Sequence, residues 1–219
     1  MDENNRSTDS TQQKLLTAAC EVFAENGFKN TTVRDICNRA EANVAAINYH
    51  FGNKEKLYEA VWAYANNLAV KNRVNFLDLE GVSDPEKKIR IFIKTLLDNI
   101  LNQDRPEWDF RIVAHEMMEP TAAFNIIIDK MIRPSFFFLR DLVQEVLGDE
   151  VPKEKVEKCT LSIVGQCLYY RFANPVVRQL LPEQTFDEKG LEEIADHITE
   201  FTLSALKQMR RGIEDGREG

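Results

Sequence analysis

The sequence predicts an all-α protein with a three-helix N-terminal domain, which contains a helix-turn-helix, and a larger C-terminal helical bundle. Apolar residues recur every three or four positions through most of the 219 residues, and no stretch alternates apolar and polar residues as a strand would. Capping residues, glycines and prolines divide this pattern into about nine or ten helices. The chain is long enough to bury a substantial core.

The first predicted helix follows a polar stretch, residues 1–9, which we expect to be a flexible arm. Ser10 or Asp9 can cap this helix, and Gly27 can end it after about Asn26. Its predicted apolar stripe consists of Leu15, Ala19, Val22 and Phe23.

Residues 31–56 are predicted to form a helix, a tight turn and a second short helix. Thr31 and Thr32 are good N-cap residues, and Asp35 can act as their acidic capping partner. Asn43 can cap the second helix after a connection of only a few residues. Two short helices joined in this way form a helix-turn-helix, whose second helix can enter a DNA major groove.

The C-terminal bundle is predicted to follow directly, so that the domains cover residues 10–56 and 57–219. Asn53 can cap a long helix that reaches about Phe76, and residues 80–85 then interrupt the helical pattern. Later helices are expected to start near Ser83 or Asp84, Glu107, Pro120, Pro152 and Asp187, with a kink at Pro134.

The charge distribution argues against unspecific nucleic-acid binding. The chain carries a net charge of −8, and its first 56 residues hold seven basic and eight acidic side chains. A DNA-binding domain usually has a basic footprint, which here must be local. The residues that can form it are Arg34, Lys54, Lys56, Arg6 and Lys14. We therefore expect shape and a few phosphate contacts to dominate, with a modest salt dependence.

The four cysteines form no CxxC pair. Cys20, Cys37 and Cys167 lie among apolar neighbours in predicted helices, which indicates buried thiols in a reducing cytoplasm. The first ten residues are polar and acidic, unlike a signal peptide, and the apolar stretches are too short to span a membrane. We expect a cytoplasmic protein that does not bind membranes.

Catalytic and metal-binding patterns are weak. The run HEMME at residues 115–119 has the first half of a zinc-protease helix, but Glu119 replaces the second histidine. The chain has three histidines, no Cys/His cluster, no GxSxG elbow and no phosphate-binding glycine loop. We expect no enzymatic activity, no metal and no cofactor.

The last two long helices carry apolar residues on more than one face, so each can pack inward and also against a second subunit. The alternative is that these residues form only an intramolecular core. A two-fold DNA reader must hold two recognition helices about one duplex turn apart, which favours a homodimer. The predicted dimerisation residues are Cys159, Ile163, Gln166, Tyr170, Phe201 and Ala205.

The middle of the chain interleaves polar groups with Met and Phe, a pattern typical of an adaptable ligand pocket. The same stripes also occur in ordinary cores, which is the alternative. Tyr169, Arg171 and His115 are the stronger candidates, because a polar tip inside an apolar body needs a partner. The predicted ligand-binding residues are Phe110, His115, Met118, Phe124, Met131, Phe138, Tyr169 and Arg171.

The run NVAAINYHFGNKEKLYEAV resembles the DNA-binding signature of the TetR family of bacterial transcriptional repressors. In that family the recognition helix ends in an aromatic-His-Phe triplet, followed by a lysine that opens the fourth helix. Tyr49, His50, Phe51 and Lys54 occupy those places. The upstream segments AACEVFAENGF and TTVRDI also match, so the resemblance covers residues 12–62.

One position departs from this signature: Glu41 stands in the turn where the family usually has glycine. In the C-terminal half, the segments FRIVAHEMMEPTAAFNIIIDKMIRPSFFFL and GQCLYYRFANPVV resemble the TetR subgroup that includes the CecR-like regulators. The resemblance implies dimerisation through the last two helices as a four-helix interface.

The expected function is that of a ligand-responsive repressor, which binds a palindromic operator as a dimer and is released when a small molecule shifts the helix from Lys54 to Phe76. The alternative is a helical protein–protein adaptor that does not read DNA. Asparagine can pair with adenine, whereas Tyr and His more often meet phosphate. The predicted DNA-binding residues are Thr32, Arg34, Asn43, Val44, Ala45, Ala46, Asn48, Tyr49, His50 and Lys54.

Overall fold

The computed structural model describes residues 3–70, 79, 81–101 and 106–215, with side chains except at residues 3–9, 66–70, 131, 214 and 215. These residues form helices and connecting turns, with no strand among them, which confirms the all-α class. The helices are α1 (Glu3–Asn30), α2 (Val33–Ala40), α3 (Val44–His50), α4 (Lys54–Val70), α5 (Pro85–Leu101), α6 (Glu107–Met118), α7 (Ala123–Ile127), α8 (Arg133–Leu147), α9 (Lys153–Phe172), α10 (Asn174–Leu180) and α11 (Glu188–Asp215).

The helices group into two compact units. The first unit lies within Met1–Lys71 and Gln103–Lys130, and the second within Asn72–Asn102 and Met131–Gly219. This grouping differs from the predicted division between residues 56 and 57. The reason is packing: α4 and α6 both lie against α1, so the first unit contains α6 and α7 as well as the helix-turn-helix.

α1 begins at Glu3, so the backbone of the predicted arm is helical from that residue. The helix is broken at Gly27, whose φ of 73° and ψ of 170° lie outside the helical region. Glycine adopts this conformation without the steric cost of a Cβ atom. The predicted end near Asn26 corresponds to this break, after which a last helical turn reaches Asn30.

Side-chain caps start α2, α3 and α4 at the predicted residues. The Thr32 Oγ1 accepts a 3.2 Å hydrogen bond from the Asp35 N–H, and the Asp35 carboxylate accepts one of 2.8 Å from the Thr32 N–H. Asn43 Oδ1 accepts from the N–H two residues later at 2.9 Å, and Asn53 Oδ1 from the N–H three residues later at 2.8 Å. Helices as short as α2 and α3 depend on such caps and on tertiary packing.

An aromatic and aliphatic core holds the first unit together. The rings of Phe23 and Tyr58 meet edge-on with centroids 4.7 Å apart, and Phe28 lies 4.8 Å from Tyr58. Ile36 of α2 and Ile47 of α3 are fully buried. These anchors fix the helix-turn-helix on α1, which both of its helices contact.

The second unit packs α5, α8, α9 and α11 around one core. Asp84 accepts a 2.9 Å hydrogen bond from the Glu86 N–H at the start of α5, which selects Asp84 over Ser83 as the cap. Asp187 caps α11 by accepting from the Gly190 N–H at 2.9 Å, as predicted. The fully buried core residues include Ile89, Ile93, Leu97, Leu139, Val143, Val156, Cys167 and Ala195.

The predicted long helix from Pro120 is not continuous. α7 begins only at Ala123, and a π-helical turn over Ile128–Ile132 separates it from α8. Pro134 lies in the first turn of α8, where its missing N–H is not needed. The irregularity predicted at Pro134 therefore lies just before it. The predicted end of α4 at Phe76 falls outside the described residues.

Candidate nucleic-acid interface

α3 turns one side inward and the other to solvent. Ile47 is fully buried, whereas Tyr49 is 79% exposed. Because Asn43 caps the first turn and Ile47 anchors the middle, the outward face has a fixed orientation on the first unit. The exposed positions of this face are Val44, Ala45, Asn48 and Tyr49.

The remaining predicted contacts on α3 are less accessible. Ala46 and His50 are half-buried. The imidazole of His50 meets the Tyr49 ring edge-on, with centroids 5.0 Å apart. His50 therefore supports the position of Tyr49 and leaves only part of its own ring open to a partner.

The N-terminus of α2 forms the second part of the candidate interface. The exposed Thr32 hydroxyl donates a 2.6 Å hydrogen bond to the Asp35 carboxylate. The bonds from Thr32 lower the pKa of Asp35, so this carboxylate stays charged at neutral pH. Arg34 is exposed beside them, and no ion pair is found for it within the described part of the chain.

Several basic side chains of the first unit are already engaged. Arg39 pairs with Glu21 and Glu25, each at 2.8 Å, and Lys29 pairs with Glu119 at 3.3 Å. The Lys54 ammonium donates a 2.7 Å hydrogen bond to a main-chain carbonyl. Among residues 10–61, the exposed basic groups for which the described residues provide no partner are Lys14, Arg34 and Lys56.

The turn between α2 and α3 explains the preference for glycine at its first position. Glu41 has φ 51° and ψ 43°, and it is the one non-glycine residue with positive φ among the described residues. A side chain in this left-handed conformation is strained. Glu41 therefore adds both backbone strain and a negative charge beside the recognition helix.

The predicted ligand-binding residues fall in both units. The first unit contains Phe110, His115, Met118 and Phe124, and the second contains Phe138, Tyr169 and Arg171. Met131 is not among the residues whose side chains are described. Met118 is 84% exposed and Tyr169 56%. Phe138 packs on the core of the second unit and stacks on Phe92 with centroids 6.3 Å apart.

A small cavity of about 90 Å³ lies in the first unit between the end of α1 and the end of α6. Its lining is largely polar and includes Lys29, His115, Glu116 and Thr121. Pockets for drug-sized ligands are typically about 300–1,000 Å³. This cavity can hold waters but is too small for such a ligand.

The predicted dimerisation residues of α9 lie mostly on its covered side. Ile163 is 2% exposed and belongs to the core of the second unit, so it offers no surface to a partner. Cys159, Gln166 and Tyr170 are half-buried. On α11, Phe201 is 62% exposed and Ala205 is half-buried.

The exposed apolar face of α9 is a different one, formed by Leu161, Tyr169 and Phe172. These residues follow the helical repeat on the side opposite the core, with Gly165 between them. The periodicity was visible in the sequence. It could not be distinguished from the neighbouring apolar stripe without knowing which side α5, α8 and α11 cover.

Other site types find little support in the described ranges. No three His, Cys, Asp or Glu side chains converge there as they would around a metal ion. None of the described helices combines the length and apolarity that crossing a membrane requires.

A capped recognition helix, an exposed α2 N-terminus and a buried three-helix core define a helix-turn-helix DNA-binding protein. The family described as "Bacterial regulatory proteins, tetR family" matches residues 15–61. The family described as "HTH-type transcriptional dual regulator CecR, C-terminal domain" matches residues 85–206. The chain belongs to the TetR family of bacterial transcriptional regulators and has a CecR-type C-terminal domain.

Full-length relatives agree with this assignment. The chain is 34% identical over 220 residues to the HTH-type transcriptional repressor NicS of Pseudomonas putida, covering 93% of this chain and 94% of NicS. It is 26% identical over 211 residues to the HTH-type transcriptional dual regulator CecR of Shigella flexneri, covering 91% and 94%.

Solved structures show the same fold at lower identity. HlyIIR, a hemolysin II transcriptional regulator, superposes in a mutant form with a TM-score of 0.61 at 22% identity, covering 88% of this chain and 98% of that one. AibR, solved in complex with isovaleryl coenzyme A and operator DNA, gives a TM-score of 0.59 at 18% identity, covering 86% and 96%.

Proposed function

We propose that this protein is a cytoplasmic repressor that binds a palindromic operator as a homodimer and releases it when a small molecule binds. The observation that carries this proposal is α3, which is capped at Asn43, anchored by Ile47 and exposed along the face that a major groove would receive. Family membership supports the regulatory role, and the name of NicS supports repression.

The residues proposed to reach base edges are Asn48 and Tyr49, with Val44 and Ala45 beside them. The Asn48 amide can bond an adenine edge in two places, and the exposed Tyr49 ring can contact a base or phosphate. Thr32, Arg34, Lys54 and Lys56 are proposed to contact the DNA backbone on either side, Lys54 with the donors that its bond to a main-chain carbonyl leaves free.

Few phosphates are contacted in this proposal. Among residues 10–61, Lys14, Arg34 and Lys56 are the exposed basic groups with no described partner. If all three meet phosphate in both protomers, the slope of log affinity against log salt is about −5. Specificity then rests on the fit of α3 more than on charge.

The dimer is proposed to form through the exposed apolar face of α9, together with Phe201 of α11. Large apolar side chains that are exposed in a row commonly mark a protein–protein interface. α9 and α11 pack against each other within the second unit, so their outer faces can form a four-helix interface with a second copy. Two copies place two recognition helices on half-sites about one duplex turn apart.

The effector is proposed to be a small molecule bound by the C-terminal domain, in line with AibR, whose structure holds an acyl coenzyme A and operator DNA. Candidate contacts are Phe138 and Arg171 if the site lies in the second unit, or Phe110, His115 and Phe124 if it lies in the first. Met118 and Tyr169 are weaker candidates because their side chains are largely exposed.

The adaptor alternative was based on the acidic balance of the N-terminal third. The acidic groups behind that balance include Glu21 and Glu25, which share one partner, Arg39. The exposed face of α3 carries no acidic side chain within the described chain. That face can therefore approach DNA without direct charge repulsion.

Selection of bound duplexes from a random DNA pool, at two salt concentrations, tests the proposal. We expect an enriched near-palindrome whose binding weakens at the higher salt. Tyr49→Ala is expected to weaken the enrichment strongly, whereas Lys87→Gln, an exposed change on α5, should preserve it. A folded dimer that enriches no sequence would support the adaptor instead.

A further inference from the structure

Glu116 of α6 is a buried carboxylate that the operator-binding proposal does not use. Its side chain is 1% exposed. Oε1 accepts hydrogen bonds from the Tyr58 hydroxyl at 2.7 Å and from the Thr121 hydroxyl at 2.8 Å, and Oε2 accepts from the Thr121 N–H at 2.9 Å. No ion pair is found for it among the described residues, so neutral donors alone hold it.

Burying a carboxylate costs free energy unless protein donors replace water. Each of the three donors is therefore needed, and the Tyr58 hydroxyl is the one that comes from another part of the chain. Burial, followed by the bond to Glu116, raises the pKa of Tyr58. The hydroxyl stays protonated at physiological pH and remains a donor.

Tyr58 connects this carboxylate to the DNA-binding helices. It lies one turn beyond Lys54, the first residue of α4, so its side chain is about 6 Å along the helix from the end that follows α3. Its ring packs between Phe23 and Phe28 of α1. A change in the position of Tyr58 would therefore move the first turn of α4 relative to α1.

His115, the residue before Glu116, makes a second contact with the same helices. Its Nε2 lies 3.1 Å from the Ala24 carbonyl of α1. The imidazole also lies against Gly27, where an added Cβ would come within 3.1 Å of Nδ1. Two consecutive residues of α6 thus contact α1 and α4.

α6 belongs by sequence to the CecR-type domain, which matches residues 85–206, but it packs in the first unit with the helices that match residues 15–61. Glu116 also fixes the turn from α6 to α7 through Thr121. One side chain therefore joins this segment of the C-terminal domain to the helix after the recognition helix.

We propose that Glu116 is a positioning residue for operator recognition: through Tyr58 it holds α4, and with it α3, in the orientation that matches one half-site spacing. This inference rests on the proposed operator binding.

The test uses the duplexes enriched by the full-length protein, with the spacing between half-sites kept or changed by one and two base pairs. Tyr58→Phe removes the hydroxyl and keeps the ring contacts. We expect about tenfold weaker binding to the selected spacing, as for one lost hydrogen bond to a charged group. The preference for that spacing over the altered ones should shrink by a similar factor.

Tyr64→Phe is the matched control, because Tyr64 lies on the same helix and its ring stacks on Trp108 with centroids 6.0 Å apart. It should keep both affinity and spacing preference. Glu116→Gln removes the charge to which Tyr58 donates. In the Tyr58→Phe background its effect on operator affinity should be smaller than in the wild type, since the bond that it weakens is already absent.

Each outcome decides a separate point. If the wild-type protein enriches no duplex, operator binding itself fails. If it does, but Tyr58→Phe and Glu116→Gln keep the wild-type spacing preference, the positioning role is overturned even when their thermal stability falls. Strictly additive effects of the two substitutions on affinity would overturn it as well.

Discussion

The ammonium group of Lys54 donates a 2.7 Å hydrogen bond to the main-chain carbonyl of Thr31, and it lies 4.3 Å from the centroid of the Phe28 ring. The lysine that the sequence assigned to DNA thus also ties the start of α4 to the connection between α1 and α2. An ammonium has three donors, so one serves the fold and the others remain for a phosphate.

Replacing Lys54 should therefore weaken the fold as well as DNA binding. Lys54→Met is expected to lower the free energy of unfolding by about 1–2 kcal/mol, because a charged hydrogen bond and a cation–π contact are lost. Lys56→Met, an exposed change two residues on, should alter it by less than about 0.5 kcal/mol. Urea unfolding of both variants measures this difference, and equal stabilities would contradict the internal role.

Glu41 supplies a prediction about backbone strain. Glu41→Gly should raise the free energy of unfolding by about 0.5–1 kcal/mol, since relief of the left-handed strain exceeds the added chain entropy of glycine. Glu41→Val should lower it, because a β-branched side chain is worse at this φ of 51°. Thermal and urea unfolding test whether the free energy of unfolding falls in the order Gly, Glu, Val at position 41.

The charge of Glu41 can be separated from its conformation by Glu41→Gln. This variant keeps the strained backbone and should leave stability within about 0.5 kcal/mol. If the turn approaches the DNA backbone, it should bind operator several-fold more tightly at low salt, with the difference fading as salt screens the charge. Unchanged affinity at low salt would place the turn away from phosphate.

Local signals in the sequence predicted the helix starts well. Asn43, Asn53 and Asp187 cap their helices through bonds spanning two or three residues. Such caps depend only on neighbours in the chain, so their residue types suffice to place them. The position of α3 and its outward face could be predicted from the same local pattern of residues.

Features that depend on distant packing were not predictable in the same way. The sequence favoured Ile163 for the dimer, but packing against α5 and α8 buries it and leaves Leu161 exposed. α9 is apolar on several faces, so periodicity alone could not choose among them. The role of Glu116 was not predictable either, because its partner Tyr58 lies far away in the sequence.

Recognition and folding should separate within α3. Tyr49→Ala removes a side chain that is 79% exposed and should weaken operator binding by about 1–3 kcal/mol while leaving stability nearly unchanged. Asn43→Ala removes the N-cap and should cost about 1 kcal/mol of stability. Titration of each variant with operator, beside its urea unfolding curve, tests this contrast. A stability loss for Tyr49→Ala equal to that of Asn43→Ala would contradict it.

The cysteines provide a probe of which α9 face is covered. Burial raises the pKa of Cys20 and of Cys167 to about 12, so both thiols stay protonated and unreactive at pH 8. Cys159 is half-buried on the side away from Leu161. Burial also raises the pKa of Cys37 and of Cys159, but Cys37 is only 2% exposed. In the native dimer we therefore expect Cys159 to react faster than the other three thiols, and Cys159→Ser to remove that reaction. Protection of Cys159 that disappears on dilution would instead favour the face predicted from the sequence.

The two faces of α9 also make opposite predictions for charge substitutions. Leu161→Glu places a carboxylate on the exposed apolar face and should convert the dimer to a monomer, because an unpaired charge cannot be buried there without cost. Operator affinity should then fall at least a hundredfold, since the second half-site no longer benefits from linkage. Gln166→Glu, on the half-buried side, is the matched change and should leave the dimer intact. Sedimentation of both variants decides between the faces: dissociation by Gln166→Glu, with Leu161→Glu still dimeric, would restore the stripe of Cys159, Gln166 and Tyr170 as the interface.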